Sequence, residues 1–111
     1  MNAGIGQTWR SKTTVRNRTA VVTLFGELDI AGAGELRDVL HAAIARATQV
    51  QVDMARVTFI DSTVLTTFVN AHHRAADASV SFAVVNPAGH VRRVLTMTGI
   101  LSLLTSPEDD D

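Results

Sequence analysis

The sequence predicts a single α/β domain. Its four- to five-stranded sheet is mainly parallel or mixed, with α-helices packed against it, in the order β-β-α-β-α-β-α-β. Two observations lead there. Short β-prone runs, at Thr19 to Glu27, Val50 to Met54 and Val80 to Val85, alternate with stretches whose apolar residues recur at helical spacing. Strands joined by single helices need right-handed crossovers, which builds a largely parallel sheet. The size agrees: 111 residues with 46% apolar side chains suffice for one core and are too few for two domains.

Residues 1–8 are small and polar and are expected to form a flexible end, ahead of a domain spanning 9–105 and an acidic flexible tail at 106–111. Trp9 to Arg16 reads as a weak, edge-like first strand with Trp9, Ser11, Thr13 and Val15 on one face. Asn17-Arg18 reads as a turn. Thr19 to Glu27 is the clearest strand, and apolar residues on both its faces predict cover on both sides, at least in part.

A helix follows from about Ala33 to Arg46, with Gly32 at its cap and Leu36, Val39, Leu40, Ala43, Ile44 and Ala47 on its apolar side. Val50 to Met54 is a short strand. Phe59-Ile60 then meets three short polar residues, Asp61-Ser62-Thr63, that suit the unpaired N–H groups of a helix start. The helix they open runs to about Ala76. Its expected buried stripe is Val64, Leu65, Phe68, Val69, His72 and Ala76, and its outer stripe is Thr63, Thr66, Asn70, His73 and Asp77. After the strand at Val80 to Val85, Asn86-Pro87 reads as the start of a third helix, ended by Gly99. Ile100 to Leu104 is expected to be a last short strand.

Several function classes are excluded or weakened. The chain has no cysteine, so thiolate zinc sites, disulfides and cysteine nucleophiles are absent. A formal net charge of −1 lacks the basic footprint of a general nucleic-acid binder. No secretory leader or membrane-length apolar run is visible, which predicts a cytoplasmic protein without membrane or direct nucleic-acid partners. A hydrolase on Ser62 lacks the small flanking residues of a nucleophile elbow, and His72 and His73 lie roughly 15 Å along the same helix. Adjacent His72 and His73 point about 100° apart and cannot share a metal ion. Neither Gly4-Ile5-Gly6 nor Gly32-Ala33-Gly34 has the spacing of a phosphate loop. Arg92 and Arg93 form a small basic spot, read as a solvated face. Asp29, Asp53 and Asp61 each follow a β-segment, at the edge where ligands and partners dock in open α/β sheets.

Four segments in order, Gly26-Glu27-Leu28-Asp29, Val52-Asp53-Met54, Phe59-Ile60-Asp61-Ser62-Thr63-Val64-Leu65 and Val91-Arg92-Arg93-Val94-Leu95 with Gly99-Ile100, resemble the STAS domain of bacterial anti-sigma factor antagonists. The resemblance runs from about Thr13 to Leu104. It implies a non-enzymatic switch without cofactor or metal. The unphosphorylated form would bind an anti-sigma factor of serine-kinase type and release a sigma factor for transcription. The kinase would phosphorylate Ser62, with Thr63 as the rival acceptor, and a phosphatase would reverse this. Asp29, Asp61, Ser62, Thr63, Thr66 and Asn70 would form the partner surface on a monomer or weak dimer. Val64 stands where the family usually has Gly, and its side chain is expected to narrow the approach to the serine. The alternative is an unphosphorylated STAS subunit of a larger signalling or transport complex.

Overall fold

In the computed structural model of the chain, which describes residues 8–105, the polypeptide enters through a hairpin. Strand β1 (Trp9–Arg16) pairs antiparallel with β2 (Thr19–Leu28), in register from Trp9↔Gly26 to Arg16↔Thr19. The two residues between them, Asn17 and Arg18, have φ of 52° and 67°. Positive φ at both central positions makes the turn whose twist matches that of the strands it joins. Thr8, expected within the loose end, is tied to β2 by two hydrogen bonds with Glu27. The expected segments at 1–7 and 106–111 lie outside the described residues.

A single 3-10 turn (Ile30–Gly32) leads into α1 (Ala33–Arg46). Then follow β3 (Gln49–Ile60), α2 (Ser62–Asp77), β4 (Ser81–Val85), α3 (Gly89–Met97) and α4 (Ile100–Leu104). The four strands lie in chain order, with β2, β3 and β4 parallel. Two right-handed crossovers stepping in one direction place α1 and α2 on the same side of the sheet.

That side holds the core. Ala20, Val22 and Leu24 of β2, Val50, Val52 and Met54 of β3, and Phe82 and Val84 of β4 face Leu36 and Leu40 of α1, Phe68 of α2, Val91 and Leu95 of α3, and Leu104 of α4 in one cluster. Among the described residues, the opposite face has no helix on it. Val21, Thr23 and Phe25 are only half-buried, so the cover expected on both sides of β2 exists on one. A large apolar side chain fully buried contributes about 1.5–3 kcal/mol, and the helical side concentrates these.

Four further expectations change. Ile100 to Leu104 is a helix, because Gly99 (φ 77°) reverses the chain after α3, and Ile100 and Leu104 then turn inward at a spacing of four. Asn86 does not cap α3. It takes φ of 59°, a conformation Asn tolerates, and its side chain bonds Asp53, while α3 begins at Gly89. β3 runs far past Met54. Its alternation fails where the β2 pairing slips beside Thr23–Phe25 and Gly26–Glu27, which hid the rest of the strand. On α2 the buried line is Val64, Leu65, Phe68, Ala71 and Ala75; Ala76 is exposed.

Candidate functional site

The paired strands β2 and β3 end together, at Leu28↔Ile60. The residues that follow each of them, Asp29 and Asp61, are therefore brought to one edge of the sheet. Each accepts a hydrogen bond from the turn it opens. The Asp29 carboxylate takes the N–H of Ala31 (3.0 Å) at the head of the 3-10 turn. Asp61 takes the N–H of Val64 (3.0 Å) with Oδ1 and caps α2.

The second oxygen of Asp61 reaches across to the N–H of Ile30 at 2.9 Å. One carboxylate thus ties the 3-10 turn to the start of α2, and the relative position of Asp29 and Ser62 depends on it.

Ser62 is the first residue of α2 and is exposed. Its hydroxyl has no hydrogen bond among the described residues, and its carbonyl accepts from the Thr66 hydroxyl (3.1 Å). Ser62, Thr66 and Asn70 are all exposed and spaced by four, so they form a straight outward stripe about 12 Å long. Thr63 is turned away from it and is half-buried, with its carbonyl holding the Thr67 hydroxyl (2.9 Å). Val64 is 0% exposed. Its side chain points into the core, away from the serine, so the narrowing expected there does not arise.

Asp53 does not join this group. It lies inside β3, at the level where β4 ends, and its Oδ1 accepts from the Ala55 N–H (3.0 Å) and from Asn86 Nδ2 (3.3 Å). It is a tie between a strand and a turn. Arg92 and Arg93 are exposed on α3. Arg92 lines a groove of about 570 Å³ with Asn86, Ser102 and Thr105, which contains none of the residues named for the partner surface.

Apolar residues complete the edge, and sequence reading did not single them out as such. Ile30 is 70% exposed beside Asp61. Phe59 is 40% exposed, with its ring stacked on that of His90 from α3 at 5.7 Å and 3°. Their signal was present only as an isoleucine after an N-cap and a phenylalanine in a run otherwise read as buried. Among the described residues no group of His, Asp or Glu is arranged to hold a metal, and no helix is long and apolar enough to cross a membrane.

The family model described as "Mlab, STAS domain" matches residues 12–105. An anti-sigma factor antagonist from Mycobacterium paratuberculosis has a similar structure, with 22% identity, a TM-score of 0.79, and 93% of this chain and 90% of that chain covered. The Bacillus cell fate determinant SpoIIAA in its phosphorylated form is similar at 22% identity and a TM-score of 0.69, covering 91% of this chain and 96% of that one. A sulfate transporter family protein from Wolinella succinogenes is similar at 16% identity and a TM-score of 0.70, covering 82% and 75%. At these identities the likeness is one of fold. No curated protein matches the chain in sequence.

Proposed function

The chain belongs to the STAS domain family, and on that premise we propose that it is an anti-sigma factor antagonist switched by phosphorylation of Ser62. In the unphosphorylated state its edge, built from Asp29, Ile30, Asp61 and the Ser62–Thr66–Asn70 stripe, docks on an anti-sigma factor of serine-kinase type. A sigma factor is released as a result. A phosphatase acting on the modified form restores the docking state. The protein needs no cofactor of its own, acts in the cytoplasm, and carries out no catalysis.

The observation that carries this reading is the exposed, unbonded Ser62 hydroxyl at the first turn of α2, beside the Asp61 carboxylate. A phosphate there adds a charge of about −1.5 to −2. Placed beside Asp61 and Asp29, it crowds like charges at the edge and adds bulk and a desolvation cost where a partner had fitted a small neutral hydroxyl. Within the domain the cost is small, because the helix start favours an anion and offers the N–H groups of its first turn. Phosphorylation therefore weakens docking and leaves the fold intact. Thr63 is the poorer acceptor, since it is half-buried and off the stripe.

The test is incubation with a serine-kinase anti-sigma factor and ATP, followed by mass spectrometry. The expected result is a gain of one phosphate that Ser62→Ala abolishes and Thr63→Ala retains. Stable co-purification with a membrane transporter or signalling assembly, without any such gain, would favour the second reading, an unphosphorylated STAS module. The likeness to a transporter-family structure is what supports that second reading.

A further inference from the structure

We propose that the outer edge of β1 is a docking strand for an extended, acidic segment of another protein, which adds to the sheet as a fifth strand. β1 is the end strand of the sheet and pairs only with β2. Along its eight residues the outward N–H and C=O groups meet no other described strand, which is the template for strand addition.

The side chains specify what would add. Arg10, Lys12, Thr14 and Arg16 alternate on the sheet face that carries no described helix, opposite Phe25, Thr23, Val21 and Thr19. Arg18 in the hairpin turn and Arg56 in β3 are exposed as well. No ion pair between these five cations and a described residue is seen; the pair Arg37–Asp38 lies on α1, away from this face. Arg10 is held with its guanidinium 4.8 Å from the centre of the Phe25 ring, which keeps the charge over this face. On the other face of β1 the exposed residues are Thr13 and Val15, uncharged.

Because strand side chains alternate with a period of two, one partner fits both faces. It has acidic residues opposite Arg10, Lys12 and Arg16, tolerates one opposite Thr14, and has threonine or small apolar residues between them. A second copy of β1 fits badly, since it would set like charges opposite each other. A nucleic acid also fits badly. The open face carries Asp53 and Glu27 in the rows beside these cations, and the chain's net charge is −1. Basic edge residues also discourage aggregation, and that purpose requires no selectivity for the pattern of a bound peptide.

Pattern selectivity is therefore what the experiment reads. The full chain, labelled with nitrogen-15, is titrated with a capped eight-residue peptide in which Glu alternates with Thr and Val. A peptide of the same composition with its Glu residues in one block serves as control. Expected are amide shift changes and slowed amide exchange confined to residues 9–16, and binding weakened about tenfold by Lys12→Glu or Arg16→Glu. Both substitutions sit at exposed positions, and unchanged circular dichroism checks that they fold. Equal binding of the block peptide would overturn the proposal. So would no binding, shifts centred elsewhere, equal or tighter binding of a duplex oligonucleotide, or concentration-dependent pairing of the chain with itself through β1.

Discussion

The carboxylate of Asp61 and the backbone N–H of Ile30, separated by thirty-one positions in the chain, meet at 2.9 Å. The same carboxylate caps α2 through Val64. It acts as a clasp, so the arrangement of Asp29, Ile30 and Ser62 at the sheet edge depends on one side chain.

Removing that clasp has a measurable cost. Asp61→Ala is expected to lose about 1–2 kcal/mol of stability, the usual worth of a helix cap. Asp61→Asn, which keeps one oxygen acceptor, should lose less. Urea unfolding of the three proteins checks the order. A loss in Asp61→Ala no larger than at an ordinary exposed site would mean that the clasp is weak.

Charge at the neighbouring position is expected to act on docking alone. Ser62→Asp should weaken binding to the anti-sigma partner by about tenfold or more. Its unfolding midpoint should stay near that of the parent, because an acid in the first turn suits the helix dipole. Calorimetric titration with the partner, alongside thermal unfolding, separates the two effects. Full-strength binding by Ser62→Asp would count against the switch.

Two glycines near the same edge should respond in opposite directions. A Cβ on Gly32 would fall within the Trp9 indole, so Gly32→Ala is expected to cost about 1–3 kcal/mol and to redden the fluorescence of Trp9 as the ring is displaced. Gly34, inside α1, has nothing near the position of its missing Cβ. Gly34→Ala should stabilise by about 0.4–1 kcal/mol, through the lower entropy of the unfolded chain. Stabilisation by Gly32→Ala would contradict the packing of Trp9.

The stability of the domain should fall in mild acid. Burial lowers the pKa of His72 below 6.5, and the neighbouring His73 adds to this; among the described residues, His72 Nδ1 is buried without a hydrogen-bond partner. His41 is lowered by burial, then by Arg74 and Arg37, with Asp38 opposing. For groups whose folded pKa is depressed below the unfolded value of 6.5, the unfolded chain takes up protons first. Their contribution is then complete above that value and is lost as pH falls below it. Urea midpoints should therefore be higher at about pH 7.5 than at about pH 5.5. His72→Gln should flatten part of that slope, with His41 supplying the remainder. An unchanged slope in His72→Gln would rule out His72 as a contributor.

Much of this molecule is local and so could be read directly. β1 occupies the predicted residues, Trp9–Arg16, and α1 the predicted Ala33–Arg46, with Gly32 at its cap. Periodicity and cap chemistry act over a few residues, and the Asp61-Ser62 start of α2 is of the same kind. What failed depended on distant partners. Ile100 to Leu104 is an apolar run too short to distinguish strand from helix, and the positive φ of Gly99 together with the burial of Leu104 decided for helix. Asn86 had the chemistry of a helix cap, but Asp53, thirty-three positions away, engaged its side chain. The second half of β3 vanished from the pattern because its alternation is broken where the pairing with β2 slips. The candidate site divides along the same line. Asp29 and Asp61 could be placed at turns from neighbouring residues alone, whereas Asp53, expected to follow a strand, lies inside β3. That Asp29 and Asp61 share an edge while Asp53 does not, and that Val64 turns inward and leaves Ser62 open, follow from strand register and core packing, which couple residues far apart in the chain.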